Sequence, residues 1–287
     1  MAPVSQVIAN RWRYSGKEEQ KALDAALPLI DYGARMYDPT IARWMSVDPL
    51  AGKYYPVGPY VYCAGNPISF IDYHGDTLWV KDHGIEYQYN NGVFYLNGEI
   101  VKAKGFLKRV GRALDRIIKT EEGASMIQEL SSSNNSFTIV KGGVSSFTPS
   151  DKIKAHGIEA IIRFDRSVEL GGIESVLGGS SGIITWNPWG SSLPTTQGLR
   201  VSSFVDLAHE MFHALDANRG LLTGEMSYGI KNNEWQAVYR ENTLRRQAGL
   251  PLRTHYQVAY DADGVKIGGA GQRMLTKENQ IIRPIWY

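Results

Sequence analysis

The run SSFVDLAHEMFHALDANRG at residues 202–220 holds the densest chemistry in the sequence. His209 and His213 are four apart, so on a helix their imidazoles lie one turn apart on the same face. Glu210 follows the first histidine, displaced by about 100° around the axis. Two imidazoles so placed can bind one Zn²⁺, and the intervening carboxylate can reach a metal-bound water without ligating the ion. The competing reading is a pair of surface histidines on an ordinary helix. The run has the marks of a helix: Ser202 or Ser203 to cap it, Gly220 to end it, and an apolar stripe of Phe204, Ala208, Met211 and Leu215. It reads as an amphipathic helix with one buried side.

A zinc hydrolase needs a third protein ligand and an open position for water. Beyond the Gly220 stop, Asn232-Asn233 read as the cap of a second helix, EWQAVYRENTLRRQAG, ended by Gly249 and Pro251. Glu234 stands in its first turn, far enough beyond His213 for the second helix to turn back on the first. Glu234 is the favoured third ligand; its plain alternative is a first-turn acid stabilised by the helix dipole. Asp216 and Glu225 are rivals, with Asp216 better suited to orient an imidazole. Glu241, two turns along from Glu234, could orient a ligand histidine or pair with Arg245 at i+4, and the second is favoured. Cleaving a peptide bond also needs a donor for the oxyanion. Tyr256 and Arg253 offer a neutral hydroxyl and a fixed cation, one or both of which could face the site, and His255 could serve in the same way; a tyrosine anchoring a loop beside a surface arginine is an equal alternative.

Asn233-Glu234-Trp235-Gln236-Ala237 resembles the N-E-x-x-A pattern of the gluzincin clan, whose third ligand is the glutamate. Taken together, HEMFHALD, NEWQAVYREN and GLPLRTHY in that order resemble the NleD-type zinc metallopeptidases that bacteria inject into host cells. The likeness spans residues 130–260. It implies one zinc ion on His209, His213 and Glu234, with Glu210 as general base. It also implies a protein substrate in a target cell's cytosol and an immunity partner. The Arg253-x-x-Tyr256 spacing resembles that of the clostridial neurotoxin proteases. Substrate in this clan commonly lies along an edge strand, and GIITW at 182–186, with glycine-rich flanks, is the candidate, although an ordinary sheet strand is the favoured reading of that run.

Residues before 77 differ in character. WRYSG and LIDYGARMYD read as strands, and Asp38-Pro39-Thr40 is a turn leading into IARWMSVD, so a hairpin is expected. YSGKEEQ, DYGARMYDPTIARWMSVDPLAGKYY and PYVYCAGNPISFIDYHGD resemble the end of an RHS-repeat-associated core. That family places a large strand-rich shell upstream and a variable toxin domain downstream. Here the junction reads Asp72-Tyr73-His74-Gly75 where the family has Asp-Pro-x-Gly, so self-cleavage is not expected, and Asp48 and Asp72 read as turn residues.

After residue 76, TLWVKDHGIEYQYNNGVFYLNGEIVKAKG alternates between turns and reads as a meander. FLKRVGRALDRIIK puts Phe106, Val110, Leu114, Ile117 and Ile118 on one helical face. A short helix follows around ASMIQEL, and SFTIVKGG, IEAIIRF and GIITWNP read as strands. His74, His83 and His156 read as structural or solvated, and Trp186 and Trp189 as core rather than cleft.

The composition is that of a globular chain: 287 residues, 43% hydrophobic and 21% charged. A net charge of +2 calls for neither nucleic acid nor a membrane surface. Cys63 alone cannot form an internal disulfide. The opening MAPVSQVIANRWRYSG lacks the apolar stretch of a cleavable signal peptide, so export would need a dedicated system.

The expected fold is α+β: a strand-rich segment at 1–76, then at 77–287 a zincin-like domain whose mixed sheet carries the His209/His213 helix against the Glu234 helix. The functional reading is a secreted or injected zinc endopeptidase. Its competitor is a non-catalytic delivery segment with a degenerate or purely structural zinc site, and a metal-dependent hydrolase of a non-peptide substrate is a weaker third.

Overall fold

The computed structural model describes residues 18–20, 29–31, 36–46, 60, 78–90, 92–97, 99–131, 133, 135–157 and 178–287. The readings at WRYSG, Asp48, Cys63, residues 72–75 and IEAIIRF lie outside them. The chain divides into two compact units, residues 1–76 with 132–134, and residues 77–131 with 135–287.

In the first unit four short antiparallel strands run in order: β1 (Glu18–Gln20), β2 (Leu29–Asp31), β3 (Met36–Asp38) and β4 (Arg43–Trp44). LIDYGARMYD is therefore two strands rather than one. The expected hairpin is β3–β4, pairing Tyr37 with Trp44. Asp38 closes its turn by accepting from the Thr40 amide at 2.8 Å, and Ile30, Tyr37 and Trp44 form a small apolar cluster.

The second unit is built on a seven-stranded mixed sheet. The meander forms β5 (Leu78–Asp82), β6 (Ile85–Asn90), β7 (Val93–Leu96) and β8 (Glu99–Val101). Next come β9 (Phe137–Lys141), β10 (Ser146–Pro149) and β11 (Gly182–Trp186), and the sheet order is β10-β11-β9-β5-β6-β7-β8. Only the β9 pairings with β11 and β5 are parallel. Helix α1 (Gly105–Ile117) buries Phe106, Leu107, Val110, Leu114 and Ile117 at the expected spacing. Helix α2 (Glu121–Ser131) starts at the acidic pair Glu121-Glu122, where negative charge suits a helix N-terminus. Helix α3 (Lys152–His156) is capped by Asp151, whose Oδ1 accepts from the amides of Ile153 and Lys154.

Helix α4 (Ser203–Asn218) packs against β10, β11, α1, α2, α3 and the next helix, α5 (Asn232–Gln247). It is not amphipathic: every residue from Phe204 to Ala217 is buried. Neighbours cover it on all sides, so Asp206, His209, Glu210, His213 and Asp216 lie inside the protein. Burying that many ionisable groups is costly unless they are paired or hold an ion.

Both helices end alike. Gly220 and Gly249 adopt positive φ, and the next amides reach back to Asp216 O and Arg245 O at 2.8 Å, so each terminus forms a Schellman turn. The cap expected at Asn232-Asn233 falls instead on Lys231, and Asn232 and Asn233 open the helix itself. Two hairpins complete the unit, β12 (Ser192–Thr195) with β13 (Gly198–Val201), and β16 (His255–Tyr260) with β17 (Lys266–Arg273). Between α4 and α5 lies the two-residue pair β14 (Met226–Ser227) and β15 (Ile230–Lys231).

Candidate metal centre

Three groups converge where α4 faces α5. Nε2 of His209 and Nε2 of His213 lie 3.3 and 3.2 Å from one and the same oxygen, Oε2 of Glu234. The two rings meet edge to face, with centroids 4.9 Å apart. A tetrahedral ion bound at 2.0–2.1 Å holds its ligand atoms about 3.3 Å apart. The donor set therefore has the spacing, as well as the chemistry, that could hold a metal ion. Among the described residues it is the one cluster of three such side chains.

Behind the imidazoles, His209 Nδ1 lies 3.0 Å from Oε2 of Glu241. That corrects the expectation that Glu241 merely pairs with Arg245, because it does both. Its Oε1 accepts from Arg245 Nε at 2.7 Å and its Oε2 from Arg253 Nη1 at 2.9 Å. Glu241 is wholly buried, and burial alone would raise its pKa, yet Arg253 and Arg245 hold it well below the usual carboxylate range. Asp216, expected to orient an imidazole, accepts the Tyr287 hydroxyl at 2.8 Å through Oδ1.

The charges around the cluster are those of a cation site. Burial works against a charged imidazole, but the hydrogen bonds to Glu234 and Glu241 push His209 up to about 10. Burial likewise opposes ionisation of Glu234, while the two imidazoles hold its carboxyl well below the carboxylate range. Glu210 lines the same cleft, and burial raises its pKa against the pull of both imidazoles. Burial and the Glu234 carboxylate push the Tyr256 phenol above the tyrosine range, so at neutral pH it keeps its proton and can donate.

Arg253 is placed differently from Tyr256. It is buried, and its guanidinium donates to Glu241, to His255 O at 3.2 Å and to Tyr256 O at 3.1 Å. Its main chain is clamped by the Asn242 side chain, whose Oδ1 accepts from Arg253 N at 2.7 Å and whose Nδ2 donates to Arg253 O at 3.0 Å. Asn242, read only as part of a helix, thus fixes the segment that carries Tyr256. His255 hydrogen-bonds Thr254 Oγ1 through Nδ1.

The cluster lies in a cleft of about 940 Å³. One wall is Val144, Ser146, Phe147 and Pro149; the other is Leu193, Arg253, Tyr256, Val258 and Tyr260. GIITW is an ordinary sheet strand, the favoured reading, and not an edge. It is β11, covered on one side by β9 and on the other by β10, and β10 is the edge. Trp186 is core as expected, its indole donating to Ser203 O at 2.8 Å. Trp189 is instead exposed, beneath the Arg109 guanidinium.

Residues 97–256, more than half of the chain, match the model of the M91 peptidase family, whose members are described as effector proteins. The chain belongs to the M91 peptidase family. The matched range takes in α4, α5 and the segment up to Tyr256, so His209, Glu210, His213, Glu234 and Tyr256 all fall inside it. Membership makes this an effector of a peptidase family. No helix among the described residues is long and apolar enough to cross a membrane. The chain is also 39% identical over 64 residues to salivary gland surface protein 1 of Aedes aegypti, covering 22% of this chain and 2% of that relative's length.

Proposed function

We propose that this M91 peptidase is a zinc-dependent endopeptidase in which His209, His213 and Glu234 hold one Zn²⁺. The observation that carries the reading is the single Glu234 oxygen within 3.3 Å of both Nε2 atoms. Zinc bound there would polarise the scissile carbonyl and acidify a water molecule. Glu210 takes the proton of the attacking water and returns it to the leaving amine; the rise that burial gives its pKa favours the uptake. Tyr256 donates its hydroxyl to the oxyanion. Arg253 acts through Glu241 and the Tyr256 main chain as a positioning group, because its donors are already engaged there.

The substrate lies along β10. The Ser150 amide donates to Ser181 O at 2.8 Å. With alternate pairing in antiparallel strands, that directs the main chain of Ser146 and Thr148 to β11 and that of Phe147 and Pro149 outward. Proline, which has no amide hydrogen, is tolerated on such an open edge. An extended substrate segment then pairs with Phe147 above the His209/His213 floor.

On this reading residues 1–76 are the end of an RHS core, 77–287 form the toxin domain, an upstream shell delivers it into a target cell, and an immunity protein protects the producer. The test measures zinc content of wild type and His213→Ala by mass spectrometry, and lysate cleavage by wild type and Glu210→Ala. Zinc lost in His213→Ala, and cleavage lost in Glu210→Ala with zinc retained, are expected. Equal cleavage by Glu210→Ala would overturn the mechanism.

A further inference from the structure

The imidazole of His213 lacks on its far side what His209 has. His209 Nδ1 has Glu241, whereas His213 Nδ1 is buried with no hydrogen-bond partner. An imidazole that offers the Nε2 lone pair to a cation carries its proton on Nδ1, and that proton needs an acceptor. One turn further along α4, Asp216 is wholly buried, and its Oδ2 is also without a partner. Residues three apart share a helix face. The two atoms left over are thus a donor and an acceptor on the same stretch of helix.

Asp216 Oδ1 is already taken by the Tyr287 hydroxyl at 2.8 Å. That phenol is itself well held. Its ring meets Tyr239 edge to face at 6.3 Å, the Arg240 guanidinium lies 5.1 Å from its centroid, and Arg283 Nε donates to its carbonyl at 2.8 Å. The titratable and charged groups facing Asp216 are Arg240, His213 and Arg219; Arg240 is tied to Glu122 and Arg219 to Glu129.

We propose that Tyr287 is a positioning residue of the metal centre: by holding Asp216 Oδ1 it leaves Oδ2 as the acceptor for His213 Nδ1–H and so keeps His213 Nε2 turned towards Glu234. The inference rests on the zinc reading above. It assigns a role in the site to a residue that lies beyond the family match and 74 positions from His213 in sequence.

The test is zinc affinity by chelator competition on the full chain, for wild type, Tyr287→Phe, Asp216→Asn and the double variant, with the visible spectrum of each Co²⁺-loaded protein. Tyr287→Phe removes only the hydroxyl and keeps the ring contacts. Groups that orient a metal ligand typically contribute about 10–100-fold in affinity, so a loss of about 10-fold is expected for Tyr287→Phe and at least as much for Asp216→Asn. The double variant should bind no more weakly than Asp216→Asn, and the Co²⁺ bands should shift in all three. An affinity of Tyr287→Phe within two-fold of wild type, or additive losses, would overturn the inference, even if the zinc-free variant unfolds more readily. If Tyr287→Phe does not fold, an Asp216→Asn protein with wild-type affinity overturns it equally. Wild type without zinc uptake would sink the metal reading itself, whereas normal zinc in wild type and Tyr287→Phe alike sinks only the role of Tyr287.

Discussion

Glu241 and His209 meet across the α4–α5 interface, with Oε2 and Nδ1 3.0 Å apart, and the same carboxylate binds Arg245 and Arg253. One buried anion thus ties together an imidazole of the cluster, the helix bearing Glu234 and the segment leading to Tyr256. Replacement by the isosteric Gln keeps the volume but removes the charge. Glu241→Gln is expected to weaken zinc binding about 10–100-fold and, by leaving two buried arginines without a counter-ion, to cost about 3–5 kcal/mol of stability. Chelator competition and urea unfolding measure the two effects; an unchanged zinc affinity would leave Glu241 as a purely structural anion.

Asp206 bears on pH. Burial raises its carboxyl to about 6 from an ordinary 3.8, against the pull of the Ser191 amide at 2.6 Å. In the folded state it therefore holds a proton that the unfolded chain has released between about pH 4 and 6. The stability it contributes is present below pH 4, falls through that window and is lost above it. Asp206→Asn keeps an acceptor for Ser191 and removes the penalty. Unfolding free energies of the zinc-free proteins from urea titration are expected to coincide near pH 4 and to favour the variant by about 1–3 kcal/mol at pH 7.5. A variant less stable than wild type at pH 7.5 contradicts this account.

Metal removal should be visible in stability as well as in turnover. Zinc binding the folded chain alone adds about 4 kcal/mol when free zinc is 1,000 times its Kd. Thermal scans with and without chelator are expected to show that increment in wild type and in Glu210→Ala, and to lose it in His213→Ala. An equal melting shift in His213→Ala would place the ion elsewhere.

Tyr256 and Asn242 separate chemistry from scaffold. Tyr256→Phe removes one oxyanion donor, so kcat is expected to fall about 10²–10³-fold with KM nearly unchanged. Asn242→Ala strips partners from the Arg253 amide and carbonyl, and at about 1–3 kcal/mol for each buried group left unpaired it should lower stability first. Steady-state kinetics beside urea unfolding distinguishes them. A Tyr256→Phe variant that raises KM alone would make the phenol a binding group.

What was legible in the sequence followed local rules. The His209-Glu210-x-x-His213 spacing needs only helical periodicity, and glycines 220 and 249 announce both helix ends because positive φ favours that residue. The meander and α1 showed because their apolar period matches their secondary structure. The β12–β13 and β16–β17 hairpins did not show: KIGGAGQR is glycine-rich with no alternation, and Leu193–Thr195 contains a proline. Even the amphipathic reading of α4 failed for a physical reason, since a stripe describes one covered side and this helix is covered on every side.

The amino-acid sequence by itself determined which side chains could bind a cation and on which helices they stand, because i, i+4 geometry is a property of the chain alone. Only the tertiary structure decided that Glu234 brings a single oxygen to both imidazoles, that Glu241 rather than Asp216 backs His209, that β10 rather than β11 is the open edge, and that Tyr287 reaches Asp216. Those relationships join residues 21 to 71 positions apart. Distance and direction across an interface are set by how helices and strands pack, and no local pattern of residue types encodes them.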